Sequence, residues 1–112
     1  MTIEENKLLL DILQAIDGID FHLGGKRIFQ EYIKNKTQQR AVERELEIIG
    51  EAINNLLKIN TSTPISYARI IVDLRNKVIH SYDSVNHTII WKVVMKDLPV
   101  LKSEVVSLLP NA

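Results

Sequence analysis

From Thr37 to about Ile59, the apolar residues Val42, Leu46, Ile49, Ile53 and Leu56 step by four, three, four and three. That period belongs to one face of an α-helix, and no strand tolerates it, because a strand turns its side chains over every second residue. Ala41, Ile48, Ala52 and Ile59 widen the stripe toward a second contact face. A helix of this length, apolar along its whole run, must pack against other helices to keep that face from water. Thr37 is placed to accept the hydrogen bond of an N-cap. Gly50 lies inside the stripe, where it costs about 1 kcal/mol relative to alanine, so a close helix crossing is expected there.

The remaining segments supply the neighbours. Residues 4–23 repeat Leu9, Ile12 or Leu13, Ile16, Ile19 and Leu23 at helical spacing, and Gly24-Gly25 ends the run as a C-cap. A second helix is expected over roughly 26–35, with Ile28, Phe29, Tyr32 and Ile33 on its apolar side. Asn60-Thr61-Ser62-Thr63-Pro64 reads as a loop, and a short helix from about Ser66 to Ile79 turns Ile70, Ile71, Leu74 and Val78 inward. Ser81 to Ser84 reads as a turn. The last helix runs from about Asn86 to Leu109, with Ile90 or Trp91, Val94, Leu98, Leu101, Val105 and Leu108 in register. Pro99 removes a backbone donor inside it, which predicts a kink near Asp97–Pro99. The β-branched run Ile89–Val94 resembles a strand but has no pairing partner in the chain. The expected fold is all-α: one domain over residues 1–112, an up-and-down bundle of four to five helices with a kinked C-terminal helix.

Composition narrows the function classes. The 112 residues hold 14 Lys and Arg against 14 Asp and Glu, and no cysteine. Thiolate metal sites, disulfides and thiol catalysis are excluded together. His22, His80 and His87 lack the i, i+4 spacing of a helical metal pair, so no metal or cofactor is expected. No apolar run reaches the roughly 18 residues of a membrane span. With no basic leader at Met1–Asn6, a cytoplasmic protein with no membrane partner is expected.

The densest polar cluster is Arg75-Asn76-Lys77-Val78-Ile79-His80-Ser81-Tyr82. It puts a permanent cation, an amide, an imidazole and a phenol within one helix end and its exit turn. Two readings of it stand open. Arg75 pairs with a carboxylate such as Glu51 and His80 sits at the negative end of a helix dipole; or the cluster is a site. His22 and His87 lie outside it and read as surface or cap residues.

Arg75-Asn76 with His80 and Tyr82 resembles the R-x4-H-x-Y motif of HepT-like proteins, a branch of the HEPN domains. Arg40–Ala52 is similar to that family's central helix. Ile90-Trp91 with Asp97-Leu98-Pro99 and Leu101, near the end of the chain, also resemble that family. The resemblance implies a HEPN-like helical bundle that forms a symmetric homodimer, with the Arg and His of both subunits facing one cleft. It implies a ribonuclease toxin that cuts RNA without a metal, with Arg75 and His80 as the catalytic pair. It further implies an MntA-type nucleotidyltransferase as antitoxin partner, and Tyr82 as the tyrosine that accepts AMP. A non-catalytic helical dimer that binds and is modified by such a partner is the alternative.

The residue chemistry agrees in kind. RNA carries its own nucleophile, the 2′-OH, and cleavage needs a base, an acid and a cation on the phosphorane. An imidazole with an unperturbed pKa near 6.5 serves as either base or acid, and a guanidinium matches phosphate oxygens. One His80 per chain makes half a site, which a two-fold dimer completes. Asn76 and Lys77 can hold phosphate, and Tyr82 can stack on a base or orient His80. Zero net charge conceals polarity: residues 1–20 carry −4 and residues 26–40 carry +4. Lys26, Arg27, Lys34, Lys36 and Arg40 form a candidate phosphate-contact segment.

Overall fold

The computed structural model describes residues 1–66, 71, 73 and 86–110. Every regular element among them is helical: α1 (Ile3–Leu23), α2 (Phe29–Tyr32), α3 (Lys36–Ile59), α4 (His87–Lys92), a π-helical turn (Val93–Asp97) and α5 (Leu98–Leu108). The expected helix between Ser66 and Ile79 lies largely outside the described residues. Ile71 and Asp73, which belong to it, are helical, with Ile71 fully buried.

The core is the sum of the apolar stripes. Leu9, Ile12, Ile16, Ile19 and Leu23 of α1 meet Val42, Leu46, Ile49, Ile53 and Leu56 of α3, and Ile90, Val94, Leu98, Leu101 and Val105 close the layer. Helix α1 starts on a capping box: Thr2 Oγ1 accepts from the Glu5 amide and Glu5 returns the bond to the Thr2 amide. It stops at Gly24 and Gly25, both in the left-handed region that side chains rarely adopt (φ 65° and 75°).

Two expectations are corrected. The N-cap of α3 is Asn35, whose Oδ1 accepts from the Gln38 amide at 3.0 Å; Thr37 already lies inside the first turn. Helix α2 is one turn rather than ten residues, because Ile28 is extended (φ −116°) and Ile33 caps the turn; both isoleucines remain exposed while Tyr32 is buried. Helices α1 and α3 approach closely at Gly18 of α1, where a Cβ would overlap the Glu45 carboxylate of α3. Gly50 is buried in α3.

Glu45 lies over Gly18 and accepts or shares a hydrogen bond with His22 Nε2 at 3.1 Å, so His22 joins α1 to α3 and is not a free surface residue. The kink expected at Asp97–Pro99 takes the form of the π turn. Pro99 has no amide to give the Met95 carbonyl, and its ring would press on that carbonyl in a regular helix. Widening the preceding turn lets the Leu98 amide reach the Val93 carbonyl instead, and leaves the proline in the first turn of α5, where it is tolerated.

Candidate active site

Arg75, Asn76, Lys77, His80 and Tyr82 lie outside the described residues. What the structure describes is the frame on either side of them. On the entry side, the Asn60 side chain accepts from the Ser62 amide and the Thr63 hydroxyl donates to the Asn60 carbonyl, which folds the loop back on α3. Ser66 then donates from its amide and its hydroxyl to Glu104 of α5, at 3.1 and 2.8 Å. On the exit side, Asn86 Oδ1 accepts from the amides of Thr88 and Ile89 and so starts α4. Ser66 is thus tied to α5, and Asn86 sets the start of α4.

Beside the start of α4 sits a partly buried polar cluster. The His87 ring meets the Tyr32 ring edge-on, with centroids 6.0 Å apart. Tyr32 also packs on Trp91 at 5.1 Å, and Phe29 on Trp91 at 5.7 Å. Gln39 of α3 donates to the carbonyls of Tyr32 and Ile33, both at 3.0 Å, and so fixes α2 against α3. Tyr32 Oη and His87 Nδ1 are buried and find no hydrogen-bond partner among the described residues. Burial pushes the Tyr32 phenol far above its ordinary value, and the Glu43 carboxylate adds to the shift. Burial raises Glu43 in turn; the charges of His87 and Arg40 oppose the rise and Glu47 reinforces it. His87 is thus a packed residue at the first position of α4, where the sequence suggested only a surface or cap role.

Glu51 is exposed on α3 and makes no ion pair among the described residues; it borders a shallow cleft against α1 with Lys7, Asp11 and Asn55. Its expected pairing with Arg75 falls outside the described residues. The basic 26–40 segment is not one surface. Arg27 turns back to Asp20 and to Met95 Sδ, at the edge of a small hollow of about 180 Å³ under the π turn. Lys36 and Arg40, one helical turn apart on α3, share the flank that carries Glu43. Tyr32, Gln39, Glu43 and His87 were not singled out by sequence as a cluster. The available signal was Gln39 and Glu43, two polar residues four apart at the border of the apolar stripe. Among the described residues no three His, Asp or Glu side chains converge as metal ligands.

The ribonuclease HepT-like family profile matches residues 12–108, a span that includes the whole Arg75–Tyr82 cluster. The chain belongs to the HepT-like ribonuclease family. Among its relatives, "Putative RNase MJ1380" of Methanocaldococcus jannaschii is 42% identical over 102 residues, covering 87% of this chain and 89% of the relative. "Putative RNase MJ0127" of the same organism is 40% identical over 94 residues, covering 81% and 75%. "Probable ribonuclease HepT" of Thermococcus cleftensis is 35% identical over 100 residues, covering 86% and 87%. No solved structure is significantly similar to the chain. The HepT-like frame is all-helical, and no described helix is long and apolar enough to cross a membrane.

Proposed function

We propose that this HepT-like chain is a metal-independent endoribonuclease, the toxin of a toxin–antitoxin pair, acting as a cytoplasmic homodimer. The observation that carries the reading is the R-x4-H-x-Y arrangement of Arg75, His80 and Tyr82 inside the span matched by the family. In this reading the two His80 imidazoles face one cleft. One takes the 2′-OH proton as O2′ bonds to phosphorus; the other, protonated, gives its proton to the 5′-oxygen as the P–O5′ bond breaks. The products are a 2′,3′-cyclic phosphate and a free 5′-hydroxyl. Arg75 neutralises the phosphorane charge, and Asn76 and Lys77 hold the phosphate. Exposed Ile3, Leu10 and Phe21 on α1, and Val100 and Val106 on α5, are apolar surface that a second copy can cover.

Tyr82 is proposed as the AMP acceptor of an MntA-type nucleotidyltransferase partner, which would block the cleft with a bulky anion. Two measurements separate this reading from a modified but non-catalytic dimer. RNA incubated with the protein in excess EDTA is expected to yield cyclic-phosphate ends, and a chain that never yields them is the non-catalytic alternative. With the partner and ATP, intact mass is expected to rise by one AMP, and Tyr82→Phe to abolish the rise. A rise that persists in Tyr82→Phe contradicts the acceptor assignment.

A further inference from the structure

The two flanks of α3 are charged differently. On the flank toward α1, Glu45 is packed over Gly18 and paired with His22. The opposite flank carries Lys36, Arg40 and Arg44 at four-residue steps, which aligns them along the helix. Arg44 is tied to Glu47 at 3.1 Å, whereas Lys36 and Arg40 are exposed and form no ion pair among the described residues.

Lys36 also opposes the local electrostatics. It is the first residue of α3, and the first turn of that helix holds no acidic residue, whereas the first turn of α1 holds Glu4 and Glu5. A helix start favours anions, so a lysine there works against the dipole. Residues kept against a local rule are where function is expected. The flank is also continuous with the frame of the site. Arg40 and Glu43 lie one turn apart, and Glu43 feels the charge of His87, which opens the helix that follows the Arg75–Tyr82 segment.

We infer that Lys36 and Arg40 form a phosphate track that guides single-stranded RNA along α3 toward the catalytic cleft. This rests on the ribonuclease reading for the identity of the strand, while the track itself is defined by charge and position. RNA supplies a phosphate at each nucleotide, and two cations one helical turn apart fit successive backbone charges. Lys7 on α1 and Lys96 in the π turn are exposed cations off α3 and serve as the control.

The test uses a fluorescein-labelled single-stranded RNA 20-mer, with binding followed by anisotropy across a KCl series and cleavage followed on the same oligonucleotide. Lys36→Ala/Arg40→Ala is expected to weaken binding by about tenfold and to lower the salt slope by about 1.4, about 0.7 for each lost phosphate contact. Lys7→Ala/Lys96→Ala is expected to change the slope by less than half as much. Both changed positions are exposed, so thermal melting is expected to stay within a few degrees, and conservative Lys36→Arg should keep the wild-type slope. Equal slopes in the two double variants, or no RNA binding by the wild type, overturn the track. A wild type that cuts RNA with unchanged KM in Lys36→Ala/Arg40→Ala overturns the track alone. RNA that binds through these residues but is never cut overturns the ribonuclease reading alone.

Discussion

Helix α3 packs by one flank and exposes the other, and the contrast shows how a chain of zero net charge divides its labour. Toward α1, a glycine makes room for Glu45, Glu45 meets His22, and the apolar stripe is buried. Away from α1, Glu43 is held above its ordinary pKa, and among the described residues Lys36 and Arg40 form no ion pair and the buried Tyr32 Oη and His87 Nδ1 have no hydrogen-bond partner. The first flank is joined to α1 by apolar packing and by the Glu45–His22 contact. The second carries exposed cations and a partly buried carboxyl, and it reaches His87, five residues beyond Tyr82 in the chain.

The largest expected effect breaks the packed flank. Leu46 is fully buried, and Leu46→Ala should cost about 2–5 kcal/mol in denaturant unfolding. A loss under 1 kcal/mol would mean that α1 and α3 do not form the shared core described. A subtler change sharpens the role of Gly18. In an ordinary helix, Gly→Ala gains about 1 kcal/mol. Here the new methyl displaces the flexible end of Glu45 and breaks its contact with His22, worth about 1 kcal/mol. Gly18→Ala alone should therefore be near neutral, while the same change in a Glu45→Ala background should stabilise by about 1 kcal/mol. Equal effects in the two backgrounds would dissolve the coupling.

The open flank answers to pH. Glu43 is raised by burial above its ordinary value of 4.5, so the folded state holds a proton that the unfolded chain has already released. Its contribution is complete below the unfolded pKa and is lost as pH rises through the folded one. Glu43→Gln should thus raise the melting temperature at pH 7 and lose that advantage toward pH 4. A gain that is larger at pH 4 contradicts the burial of this carboxyl. The smallest effect is expected at Tyr32. Its hydroxyl is buried without a partner among the described residues, so Tyr32→Phe removes an unsatisfied group and should shift stability by less than about 0.5 kcal/mol. A cost above 1 kcal/mol would show that the hydroxyl is hydrogen-bonded in solution.

Much of the packed flank was legible in the sequence, because periodicity reports which apolar residues share a face. The stripes Leu9–Leu23 and Val42–Leu56 form the core as spaced. Periodicity does not report polar residues that meet across helices, so Glu45 over Gly18 and His22 on Glu45 were not foreseen. Nor does it distinguish a bent helix from one that absorbs Pro99 in a wider turn. The candidate catalytic residues were legible for a different reason: they lie within eight consecutive positions, where a motif can be read along the chain. Tyr32, Glu43 and His87 come from three separate segments, and only folding brings them near one another.

The central claim is that Arg75 and His80 cut RNA without a metal. Its most direct measurement is the initial rate of single-stranded RNA cleavage in excess EDTA by the wild type and by His80→Ala, both shown by circular dichroism to be folded. The account predicts cleavage by the wild type and a loss of about 10²–10⁴-fold in the variant, the usual share of a general acid–base group. Equal rates in the two proteins, or a wild-type rate abolished by the chelator, would contradict it.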